Sequence, residues 1–112
     1  MTYHDYYAII FTEPKKYKKS EVIIMEEMLR KFKDEFEGVY YVFLEASDTV
    51  DAMDSDHKIY SDDDRSAAWG RYKRKSGQLY ELRRVAKILG YTLEDINSWE
   101  EKVYNEYKKN SI

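Results

Sequence analysis

Val39-Tyr40-Tyr41-Val42-Phe43-Leu44 is an unbroken apolar and aromatic run, and what it becomes decides the fold. Six such residues in a row, with Gly38 just before them, fit a strand covered on both faces. Upstream, Val22, Met25, Met28, Leu29, Phe32 and Phe36 recur at spacings of three and four. That spacing lays one apolar face along a helix from Glu21 to Glu37, with Ser20 as its N-cap and Gly38 as its left-handed C-cap. Further upstream, Tyr6-Tyr7-Ala8-Ile9-Ile10-Phe11 reads as a first strand, ended by Thr12-Glu13-Pro14. Strand, helix and strand in that order predict a βαβ unit with a right-handed crossover.

Downstream the composition turns acidic. Glu45, Asp48, Asp51, Asp54, Asp56, Asp62, Asp63 and Asp64 put eight carboxylates into twenty residues against one lysine, Lys58. Lys58-Ile59-Tyr60 is a candidate edge strand too short to separate from loop. Ser61, with Asp64 three residues on, predicts a helix start at Asp62, where three aspartates meet the positive end of the helix dipole. That helix is expected to stop near Lys75, at Ser76-Gly77, and a second to carry Leu79, Leu82, Val85, Ala86 and Leu89 inward until Gly90. Thr92 and Asp95 then cap a last helix with Leu93, Ile96, Trp99, Val103 and Tyr107 as its inner stripe. The expected fold is therefore α+β, a small β-sheet with a βαβ unit followed by three α-helices, the last two helix-turn-helix-like. It forms one domain over 1–112, divided into a βαβ part (1–45), an acidic loop (46–61) and a helical part (62–112).

Composition agrees with one folded domain: 112 residues, 43% hydrophobic, are too apolar for a disordered chain. The absence of cysteine excludes a disulfide framework, a thiolate metal site and a cysteine nucleophile, and fits a reducing, cytoplasmic setting. The longest apolar runs fall far short of the ~20 residues that cross a bilayer, and no basic n-region precedes the first, so neither membrane insertion nor export is expected.

The charges are segregated. Residues 65–88 hold Arg65, Arg71, Lys73, Arg74, Lys75, Arg83, Arg84 and Lys87 against one acid, Glu81, a net charge of +7. Interleaved Trp69, Tyr72 and Tyr80 suit stacking on bases or anchoring a protein partner, whereas the competing possibility is a basic face neutralised by the adjacent acids. The string Asp51, Asp54, Asp56 and His57 invites a cation. An EF-hand loop counted from Asp54, however, puts Arg65 where the bidentate glutamate belongs, so no metal is expected. His4 and His57 are the two histidines, and no nucleophile-elbow, phosphate-loop or dinucleotide glycine pattern appears among the four glycines. A non-enzymatic protein without cofactor is expected.

Leu82-Arg83-Arg84-Val85-Ala86-Lys87-Ile88-Leu89-Gly90-Tyr91-Thr92-Leu93-Glu94-Asp95-Ile96-Asn97-Ser98-Trp99 resembles the helix-turn-helix of phage-repressor-like DNA-binding proteins. The likeness rests on Ala86 where the helices cross, Gly90 in the turn, and apolar Val85, Leu89, Tyr91, Ile96 and Trp99. It implies that Thr92, Leu93, Glu94, Asn97, Ser98 and Glu101 face the major groove. A plain αα-hairpin has the same apolar spacing, and Glu94, Asp95, Glu100, Glu101 and Glu106 give this helix a charge that repels phosphate. The favoured expectation is a small non-catalytic inhibitor or regulator of a nucleic-acid-processing protein or nucleoprotein complex, of the phage anti-defence kind, such as an anti-CRISPR protein. Its expected partner-binding set is Arg65, Trp69, Arg71, Tyr72, Lys73, Arg74 and Lys75 together with Asp51, Asp54 and Asp56. The alternative is a helix-turn-helix-like transcriptional regulator that contacts DNA through residues 65–88.

Overall fold

The computed structural model describes residues 19–55 and 60–110, and these form three helices. They are α1 (Lys19–Ser55), α2 (Asp62–Ile88) and α3 (Leu93–Asn110). The described residues contain no strand and fold as an all-α unit, where the sequence predicts α+β with a sheet. The first expected strand, Tyr6 to Phe11, lies outside the described residues, as do His4, His57, Lys58 and Ile59 of the other assignments.

The correction centres on Val39–Leu44. All six residues are half-buried inside α1, and none is fully buried. A helix flanked by two others is apolar around most of its circumference, which produces a continuous run that looks like a doubly covered strand. The deciding signal is a longer one: Val22, Met25, Leu29, Phe32, Phe36, Val39, Phe43, Ala46 and Val50 alternate spacings of three and four without a slip. This is the 3.5-residue repeat of packed helical bundles, and it passes straight through Gly38 and the apolar run. The helix accordingly continues into the stretch expected to be an acidic loop, so the boundary drawn at residue 45 falls within α1.

A second correction concerns Ser76-Gly77, which lies in the interior of α2 and does not break it. Ala68, Tyr72, Lys75, Leu79, Leu82, Ala86 and Leu89 keep the same repeat, all of them buried or half-buried. Packing along this seam outweighs the ~1 kcal/mol that a helical glycine costs.

α2 runs antiparallel to α1, as shown by Asp54 beside Arg65 at one end and Phe32 stacked on Tyr91 at the other. α3 returns alongside α1, from Phe36 against Trp99 to Asp48 against Tyr107. The bundle is long and thin, with extents of 67 × 26 × 22 Å. Its core, where the three helices meet, is Phe36, Leu79, Ala86, Ile96 and Trp99, with Phe36 and Ala86 at 0% exposure.

The aromatic residues join the helices. Tyr91 meets Trp99 at 4.7 Å, and Trp99 meets the Phe36 edge at 5.5 Å. A second ladder runs Tyr40–Phe43–Tyr72–Trp69, with centroids 6.1, 5.4 and 5.6 Å apart. Each such pair contributes about 0.5–1.5 kcal/mol beyond its buried area. Two ion pairs tie α3 to its neighbours: Arg83 Nε donates to Glu100 at 2.8 Å, and Lys102 reaches Glu37 at 3.3 Å. Burial and the nearby Glu100 carboxylate push the Tyr40 phenol above its ordinary range.

The helix starts follow local chemistry. The Ser61 hydroxyl accepts from the Asp64 amide at 3.1 Å. Thr92 and Asp95 make a reciprocal capping box, with the Asp95 amide donating to Thr92 Oγ1 and the Thr92 amide to Asp95 Oδ2. Gly90 turns the chain between α2 and α3 at φ 97°, in the left-handed region.

Candidate interaction surface

The outer face of α2 is built by its periodicity. Trp69, Lys73, Tyr80, Arg84 and Lys87 recur at spacings of four, seven, four and three, which brings them onto one solvent-facing ridge about 27 Å long. Arg74 stands on its flank and Arg71 beyond it; all seven are exposed. Trp69 and Tyr80 are large apolar surfaces to leave in water, at 40% and 68% exposure.

The expected partner-binding residues divide into two groups. Asp54, Arg65, Trp69 and Tyr72 meet one another where α1 ends and α2 begins. Arg65 sits 3.9 Å from Asp54 and 3.6 Å from Asp62, and the Trp69 indole N–H donates to Asp54 at 3.4 Å. Asp54 lies at the negative end of the α1 dipole, where no basic residue of α1 offsets it, and Arg65 supplies that charge from the next helix. Tyr72 is held in the aromatic ladder between Phe43 and Trp69. Three of these contacts, Arg65 and Trp69 to Asp54 and Tyr72 to Phe43, join α1 to α2, and of the four residues Trp69 keeps a large exposed face.

Arg71, Lys73 and Arg74 form the second group, exposed and without an acid partner among the described residues. Lys75 belongs to neither group: it occupies a seam position, half-buried, and its Nζ donates to Gln78 at 3.0 Å. Asp51 is exposed near the end of α1, and Asp56 lies outside the described residues. Elsewhere in the +7 block, Arg83 is taken up by Glu100 and Arg84 by Glu81 at 2.9 Å. Lys87 is exposed with no acid beside it among the described residues.

The ridge thus adds Tyr80, Arg84 and Lys87 to the expected partner-binding set. Their phase with Trp69 and Lys73 is legible only if α2 is continuous, and a break at Gly77 hides it. On α3, the positions that the helix-turn-helix resemblance turns outward, Thr92, Leu93, Glu94, Asn97, Ser98 and Glu101, are all exposed. They carry two carboxylates and no cation. Among the described residues no three His, Asp or Glu side chains converge as metal ligands, and no helix is long and apolar enough to cross a membrane.

No protein-family model matches this chain, and neither a curated protein nor a solved structure matches it.

Proposed function

We propose that this chain is a small non-catalytic binding protein that docks the outer face of α2 on an acidic surface of a nucleic-acid-handling protein or nucleoprotein complex, and thereby inhibits or regulates it, as anti-CRISPR and related phage anti-defence proteins do. The cytoplasm is the compartment where such a partner is met.

The observation that carries this proposal is the combination on one ridge of cations without acid partners among the described residues, Lys73 and Lys87, with the exposed rings of Trp69 and Tyr80, and a further such cation, Arg74, on the flank. Unpaired cations raise the rate of encounter with an acidic surface. Aromatic rings among them supply the desolvated area that gives interfaces their affinity. The competing use of these charges, neutralisation by nearby acids, is taken up by Arg65, Arg83 and, on the ridge itself, Arg84, and among the described residues leaves Lys73 and Lys87 of the ridge unpaired.

The test is a pull-down with the purified protein, with and without nuclease, comparing the native chain with a Lys73→Glu/Arg74→Glu/Lys87→Glu variant whose helicity is checked by circular dichroism. A defined protein partner that survives nuclease and is lost with the variant is the expected result. A partner retained by the variant would overturn the assignment to this face. Recovery of nucleic acid alone, lost on digestion and weakening steeply with salt, would replace the proposal with the DNA-binding regulator.

A further inference from the structure

A groove opens between the second half of α1 and the end of α3. Tyr41, Glu45, Asp48, Thr49, Tyr107 and Asn110 line it, and no residue of α2 does. Its two rings stand edge to face, with Tyr41 and Tyr107 centroids 5.4 Å apart and planes at 83°. Glu45 and Asp48 are three residues apart on α1 and line the same wall. Among the described residues, neither carboxylate has an ion-pair partner and no lysine or arginine lines the groove. The nearby Lys108 is drawn over the Tyr104 ring, 5.0 Å from its centroid.

We propose that this groove receives an arginine side chain presented by a protein partner, with the guanidinium lying against the tyrosine rings and forking onto the Glu45 and Asp48 carboxylates. Each component has a physical reason. A planar, weakly hydrated cation is attracted to a tyrosine face and matches carboxylate geometry with paired N–H donors, which the point charge of lysine does less well. The Tyr107 hydroxyl already donates to one Asp48 oxygen, which fixes that carboxylate at the rim and leaves its remaining lone pairs available. The same negative surroundings hold the Tyr107 proton, pushing its pKa up to about 12, chiefly through that hydrogen bond. This site shares no residue with the α2 ridge, so either can fail without the other.

The experiment is a titration of the full-length, isotope-labelled protein with a short arginine-bearing peptide, followed by amide chemical shifts. The matched peptide carries citrulline, which has the shape of arginine without its charge. Saturable shifts are expected at residues 45, 48, 49, 107 and 110 with arginine and not with citrulline. Asp48→Asn and, as a second charge variant, Glu45→Gln should each weaken binding about fivefold or more. Tyr107→Phe keeps the ring but releases the Asp48 carboxylate and should bind more weakly than the native chain, and Tyr107→Ala, which loses the ring as well, more weakly still. Equal shifts with citrulline, or unchanged binding in both charge variants, would overturn the proposal. So would shifts spread evenly over Asp51 and Asp62–Asp64.

Discussion

Gly38→Ala separates the two readings of the central segment by the sign of its effect. In the structure Gly38 is an exposed residue inside α1, it lacks a positive φ, and a Cβ built on it meets nothing within 4 Å. Alanine there removes unfolded-state entropy without a clash, so stability should rise by about 0.5–1 kcal/mol. If Gly38 were instead the left-handed cap of a helix ending before a strand, the same substitution would cost about 1–2 kcal/mol. Urea unfolding followed by far-ultraviolet circular dichroism resolves the difference. At an m-value of about 1.5 kcal/mol/M, the midpoint should move up by about 0.3–0.7 M. Gly90→Ala is the internal contrast, since φ 97° is a conformation that alanine resists, and it should lower the midpoint. A Gly38→Ala midpoint below that of the native protein, with an unchanged m-value, would refute the continuous α1.

Three further outcomes are expected. Phe36→Ala empties a fully buried site against Trp99 and should cost about 3–5 kcal/mol in chemical unfolding; a loss below about 1 kcal/mol would mean that Phe36 is not at the junction of the three helices. Thr92→Ala removes the hydroxyl that caps α3 and should cost about 1 kcal/mol, and in a double-mutant cycle with Asp95→Ala the two losses should be less than additive because the cap is reciprocal. Tyr107 has a raised pKa, so the stability it contributes is fully present below the unfolded-state value near 10 and is lost as pH rises through about 12. An alkaline absorbance titration of Tyr107→Phe should therefore lose amplitude from the late phase that Tyr107 shares with Tyr40, and an unchanged late phase would show that Asp48 does not hold the proton.

Much of the local structure was legible. Ser61 and Asp64, Thr92 and Asp95, and Gly90 took the cap and turn positions expected of them, because each is satisfied by partners within four residues. Ile96, Trp99 and Val103 were legible as the buried stripe of α3, since that helix shows one apolar face and a polar remainder. Val39–Leu44 looks like a strand because it faces α2 through Phe43 and α3 through Tyr41, which removes the polar phase that marks a helix. The density of aspartates in 46–61 predicts a loop, although Glu45, Asp48, Asp51 and Asp54 recur every three residues, a helical interval. Aspartate is a poor helix former, and tertiary packing at Ala46 and Val50 on the opposite side outweighs that preference.

The functional surface shows the same division. The sequence by itself determined the chemistry available: no cysteine, a +7 block between acidic neighbours, aromatics at helical intervals, and helix ends fixed by hydrogen bonds spanning three or four residues. Only the tertiary structure decided which of those groups are spent and which are free. Arg65, Arg83 and Tyr72 are committed to other helices, whereas Lys73, Arg74, Tyr80 and Lys87 face water. Tyr41, Glu45, Asp48 and Tyr107 form one groove although they are up to 66 residues apart in the chain. Capping depends on neighbours along the chain, so sequence suffices for it. Whether a charge is paired, or an apolar run is strand or helix, depends on which distant surface packs against it.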